Sequence, residues 1–141
     1  MAYMTFKLEG VHSADLPQES VSHFTTRTDT PKTNDGRGID TSVSMTFGGP
    51  IRPADETSIP DDTIKLAKWA TESDDDKAYS QATASARASS QVLRRTVYPE
   101  AFVVCYTEEF DIKSGVGRYS ATIRQKKDLL EKVHNSGGYP G

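Results

Sequence analysis

The run Ala101-Phe102-Val103-Val104-Cys105-Tyr106 constrains this chain more than any other feature. β-Branched, aromatic and small apolar residues occupy both alternating faces, so a strand built from it leaves neither face suited to water. Such a strand is covered on both sides within its own fold, or on one side by a neighbouring subunit. Shorter segments supply the sheet around it. Phe6 and Leu8 alternate with Thr5, Lys7 and Glu9, and Gly10 ends that strand. Val43, Met45 and Phe47 alternate with Ser42, Ser44 and Thr46 before a stop at Gly48-Gly49-Pro50. Tyr119, Ala121 and Ile123 alternate with Ser120, Thr122 and Arg124 after a turn at Lys113-Ser114-Gly115. A period of two is the mark of half-buried strands. Val21–Thr28 and Gln91–Tyr98 are β-prone as well, whereas the Ala/Ser/Thr-rich stretch from Tyr79 to Ser90 suits either a helix or a weak strand.

One short helix interrupts this pattern. Asp61 or Asp62 can cap it, and Ile64, Ala67, Trp69 and Ala70 give it a mixed apolar side. The single tryptophan, Trp69, reads as a plug in the core, and truncation to alanine is expected to cost about 3–5 kcal/mol. Asp128–Val133 can add a second short helix before a flexible tail from about residue 134 to 141. The 141 residues therefore make one domain, mainly β (α+β), a barrel or sandwich with one helix. Its expected core is Phe6, Leu8, Val43, Met45, Phe47, Leu66, Trp69, Phe102, Val104, Tyr106 and Ile123.

Chemistry-bearing patterns are scarce. One cysteine, Cys105, excludes an intrachain disulfide and a thiolate-rich zinc site, and its mid-strand position reads as a small buried hydrophobe. His12, His23 and His134 lie at no ligand spacing. There is no nucleophile elbow, phosphate loop, dinucleotide fingerprint or CxxC pair, and Gly36-Arg37-Gly38 lacks the strand-to-helix context that phosphate binding requires. Glu108-Glu109-Phe110-Asp111 places its carboxylates on alternating faces, which suits a solvated or subunit-facing strand end better than a shared acid–base or calcium site. No catalytic, metal or cofactor site is expected. A formal charge of -3 does not suit a nucleic-acid binder. No stretch approaches the roughly 20 apolar residues of a membrane span. The amino-terminal residues carry no classical secretory signal, so cytoplasmic synthesis is expected, with any export by another route.

Two polar features remain without a role in a free domain. Asp29 to Gly38 is a cluster of turn formers that reads as an extended loop, and loops longer than about 12 residues are usually functional or disordered. Arg94-Arg95 and Arg124-Gln125-Lys126-Lys127 form small basic patches, with an acidic patch at Glu72–Asp76 that they can meet across subunits. Singly such pairs contribute about 0–1 kcal/mol, but repeated around a ring they set orientation.

Taken together these segments resemble the haemolysin-coregulated tube proteins of type VI secretion, and in particular the divergent branch found in Bacteroidetes. Asp61-Asp62-Thr63 followed by Leu66 and Trp69 resembles that family's short helix. Pro99–Asp111 resembles its acidic-Ala-aromatic-x-Val-x-Tyr-x-Glu-x-Phe-Asp strand. Phe24, Thr28, Asp29, then Asp35-Gly36-Arg37 and the Thr41–Phe47 strand, follow the same layout. The resemblance spans roughly Thr5 to Lys126; the Gly48–Pro60 and Asp74–Ser90 segments are longer than the pattern, and the residues beyond Lys127 extend it. It implies a small antiparallel β-barrel flanked by one helix, closed into hexameric rings that stack head to tail. Effector cargo would pass through the lumen, with a contractile sheath and a spike as partners and secretion through the machine as the destination. The loop from Thr25 to Asp40 would be the contact between subunits and rings, with Arg27, Asp29, Lys32, Asp35, Gly36, Arg37, Asp40, Arg94, Arg95 and Glu108 as interface residues. A phage or pyocin tail-tube subunit shares the barrel. A monomeric β-sandwich that grips a ligand with the same loop, and a small hydrolase using Cys105 or the Glu108–Asp111 cluster, are the readings of another class.

Overall fold

The computed structural model describes residues 2–29, 42–51, 62–89, 91–126, 130 and 132–137. Among these residues eight strands and one α-helix follow in the order β1 (Ala2–Glu9), β2 (Ala14–Leu16), β3 (His23–Asp29), β4 (Ser42–Ile51), α1 (Thr63–Ala70), β5 (Ser80–Ala88), β6 (Gln91–Asp111), β7 (Val116–Gln125) and β8 (His134–Ser136). The strands form one antiparallel sheet in the order β2-β1-β5-β6-β7-β4-β3, with β8 beside β6. The fold is mainly β with one short α-helix, the class the alternating segments imply.

The sheet curls over its own apolar face. Phe6 on β1 and Phe47 on β4 belong to distant strands, yet their rings stack with centroids 4.2 Å apart. Tyr119 meets Phe47 edge-on at 6.3 Å and lies near-parallel to Tyr106 at 6.4 Å. Phe6, Leu8, Met45, Phe47, Leu66, Trp69 and Ile123 are buried in this core, with Leu16, Tyr98 and Tyr119. Val43 and Tyr106 pack against it half-buried. Each large apolar side chain removed from water contributes about 1.5–3 kcal/mol, which is what bends the sheet. The barrel is nevertheless open. Among the described residues no ladder joins β3 to β1 or β2.

Several elements differ from the sequence reading, each for a local reason. Gly48-Gly49-Pro50 does not stop β4, which runs on to Ile51. The glycines serve close approach: a Cβ on Gly48 would strike the Tyr119 carbonyl, and one on Gly49 the Ser20 carbonyl. Ser80–Ala88 is a strand because β1 and β6 flank it, and its small residues let Ala82 and Ala84 vanish beneath the core. Gln91–Tyr98 and Ala101–Tyr106 are one 21-residue strand, unbroken at Pro99. Pro99 sits where the β5–β6 register shifts between Tyr98↔Ala82 and Ala101↔Ser80, a bulge that does not demand its missing N–H. The neighbouring Glu100 N–H is met by the buried Gln125 side chain at 3.2 Å.

A second register shift, between Val103 and Cys105, alters the faces of β6. Val104 is 44% exposed and is not a core residue, and Cys105 is exposed as well. Phe102 is half-buried, edge-on to Tyr79 at 5.8 Å, and stands outside the main core. In α1 it is Thr63, Leu66 and Trp69 that are buried, while Ile64 points outward. Asp62 stands at the helix N-cap, but its carboxylate makes no cap bond; it accepts the Asp15 N–H of β2 at 2.8 Å and so pins the helix to the sheet. Within the segment expected as a free tail, His134–Ser136 pair with Arg95–Val97. That edge of β6 is available because β7 pairs only from Ala101 onward.

Candidate assembly surfaces

Three surfaces follow from this architecture. The first is the outer edge of β3. His23–Asp29 pair with β4 on one side, and among the described residues no strand covers the other. Arg27 and Asp29 project from this edge and pair with each other at 2.8 Å, both well exposed. Lys32, Asp35, Gly36, Arg37 and Asp40, the remainder of the expected contact loop, lie outside the described residues.

The second surface is the β6–β7 hairpin. Its turn is fixed locally: the Asp111 carboxylate accepts the Lys113 N–H at 3.0 Å, and Gly115 takes the left-handed conformation, φ +70°. Phe110, Ile112 and Val116 are exposed beyond the core, with Ile112 at 95%. Glu108, Glu109 and Asp111 are exposed beside them. Glu108 accepts the Tyr106 hydroxyl at 2.8 Å, which holds its carboxylate on the outer surface of β6. Large exposed apolar groups rimmed by charge mark interaction surfaces.

The third surface is the β1–β5–β6 layer, whose two ends carry opposite charge. At one end Arg94, exposed, and Arg95, half-buried, stand beside Arg87. Arg94 reaches a groove of 280 Å³ lined by Met4, Phe24, Ala84 and Asn135, where the open barrel parts. At the other end Glu9, Asp75, Asp76 and Glu100 surround a pocket of 460 Å³. The Glu72 carboxylate, expected to face a neighbour, is taken within the chain: it meets His12 Nε2 at 2.7 Å. That hydrogen bond, with a second from the Asp74 N–H, holds Glu72 below its ordinary pKa of 4.5.

The other candidate chemistries are not assembled. Among the described residues no three His, Cys, Asp or Glu side chains converge as a metal site, and no hydrogen bond joins Cys105 to a histidine. The sequence reading missed Ala14, Leu16, Val21 and Tyr98 as core. Tyr98 was visible as the last apolar residue before Pro99, and burial pushes its phenol up to about 12. No helix among the described residues is long and apolar enough to cross a membrane.

No protein-family model matches the chain, and no curated protein matches it in sequence. Solved structures do match in fold. Hcp1 from Flavobacterium johnsoniae superposes with a TM-score of 0.56 at 15% identity, over 96% of each chain. Hcp1 from Salmonella typhimurium gives 0.54 at 9% identity, over 97% of this chain and 94% of its own. A chain of the sheath–tube complex of an extracellular contractile injection system gives 0.57 at 15% identity, over 96% and 88%. At these identities the likeness establishes architecture, and it runs end to end in both directions: the chain has the fold of the Hcp-like tube proteins.

Proposed function

We propose that this chain is a structural subunit of the inner tube of a contractile injection system. Copies close into hexameric rings, the rings stack head to tail, and effectors pass through the lumen when a sheath contracts. The observation that carries this reading is the end-to-end likeness to Hcp1 proteins, which leaves nearly no part of either chain over for another task. The surfaces support it. A long exposed edge strand, an apolar hairpin outside the core and opposed charge at two ends of one layer suit a protomer that is covered on several sides. A heterologous contact that closes a ring or propagates along an axis uses such unlike surfaces. Type VI secretion is the machine that the sequence resemblance names, and the likeness to an extracellular injection complex fits the same tube role. The role is a scaffold's, without catalysis, and the sheath and spike are its partners.

Native mass measurement tests the proposal. A species of six times the 15.5 kDa chain, or multiples of it, is the expected result. A strict monomer at every concentration would instead favour the monomeric ligand-binding module. Deleting residues 31–38 is expected to leave a folded chain with impaired ring stacking, and unchanged stacking would remove the loop from the contact.

A further inference from the structure

We infer that the acidic pocket beneath Glu9 and Asp76 is a socket for an arginine side chain of a second copy, and that Arg94 supplies it, with Arg95 on the opposite face of β6 adding to the positive field at that end. This rests on the tube reading above and specifies one of its contacts. Among the described residues the pocket is walled by Glu9, Asp75, Asp76 and Glu100 against one ammonium, Lys126. That ammonium is already engaged, 4.0 Å from Glu100 and 5.1 Å from the centre of the Tyr79 ring. Glu9 has only a long, exposed pair with Lys7 at 3.9 Å, and the Asp75 and Asp76 carboxylates have no partner among the described residues. Among the described residues the pocket therefore carries negative charge without a matching cation.

A second observation points to the same place. Ser80 lines the pocket at 4% exposure, and its hydroxyl has no hydrogen-bond partner among the described residues. Buried polar groups are nearly always satisfied, so an orphan hydroxyl lining a pocket marks a position where a ligand group is wanting. A rotation about its Cα–Cβ bond presents the oxygen to an incoming N–H. Guanidinium fits the need: it offers several donors in a plane, to carboxylates and hydroxyl together, and loses less hydration than ammonium.

The occupant follows from charge and register. Arg94 pairs with Ala86 on β5, and Ser80 lies six residues along that strand on the same face. The separation is roughly 20 Å, too far for an arginine to reach its own pocket. Arginine cluster and acidic socket thus stand at opposite ends of one layer. Unlike surfaces at opposite ends join copies head to tail, and each copy keeps one free end of each kind.

The test is a charge swap on the full chain. D75R/D76R and R94E/R95E each reverse one end; a third variant carries both pairs and restores complementarity with the signs exchanged. Each reversal is expected to raise the concentration for half-maximal assembly at least about tenfold at low salt. The swapped chain should recover most of it, and the differences should shrink in about 1 M salt, where screening shortens to about 3 Å. Circular dichroism confirms that every variant is folded. If the wild type forms tubes and either reversal assembles at an unchanged concentration, or the swap does not recover, the socket is overturned while the tube reading stands. If the wild type never associates, the tube reading fails and the contact with it.

Discussion

Trp69 ties α1 to the sheet, and its replacement can be worked out in parts. The indole is 2% exposed within the core cluster, and its Nε1–H donates to the Ala78 carbonyl at 2.7 Å. Trp69→Ala removes the ring, leaves a cavity and abandons that carbonyl, for an expected loss of about 3–5 kcal/mol. Trp69→Phe keeps most of the apolar contact and deletes the donor, for a loss of about 1–2 kcal/mol. A domain of this size has a total of about 5–15 kcal/mol, so the first variant loses a large share of it. Urea unfolding followed by far-ultraviolet circular dichroism measures both, at concentrations below assembly, because association of the native state adds apparent stability. The midpoint should fall with the slope unchanged. As the only tryptophan in the chain, Trp69 also reports on itself, and its native emission should be that of a buried indole. A Trp69→Ala loss below about 1 kcal/mol, together with water-like emission, would refute the account of the helix as a packed cover.

Three further outcomes follow. Gly49→Ala is expected to destabilise by about 1–3 kcal/mol in the same assay, because the added methyl collides with the Ser20 carbonyl; a neutral effect would mean that β4 and the Ser20 segment are not in such close approach. Glu72 has a folded pKa below its ordinary 4.5, so its contribution is present above that value and is lost as pH falls through the folded pKa. The urea midpoints of wild type and Glu72→Gln should therefore differ near neutrality and converge in acid, and a gap independent of pH would contradict the His12–Glu72 contact. Cys105 is exposed and is the sole cysteine, so a thiol reagent should label one equivalent of folded monomer without denaturant; labelling only on unfolding would restore it to the core.

What the sequence made legible was the alternation, and alternation reports which residues share a face. Phe6, Leu8, Met45, Phe47 and Ile123 were readable as core for that reason. Illegible were the places where tertiary partners change the count. The bulge after Val103 turned Val104 and Cys105 outward, and no local pattern in an all-apolar run announces such a shift. Pro99 looked like a boundary because a central strand rarely accepts it, but a register shift removed the demand for its N–H. Gly48-Gly49 read as a stop, since the carbonyls that require their small size come from Ser20 and Tyr119, far away in sequence. The candidate assembly surfaces were half legible. Arg94, Arg95 and the acidic run stand out as charge, but only the fold places them at opposite ends of one layer and shows Glu72 spent on His12.

The central claim, that this fold is built to be covered by copies of itself and to form a tube, is tested most directly by electron cryomicroscopy of the purified chain across a range of concentrations. The account predicts sixfold rings with a central channel that stack into tubes as concentration rises. A uniform field of compact single chains, unchanged up to the highest concentration and at low salt, would contradict it.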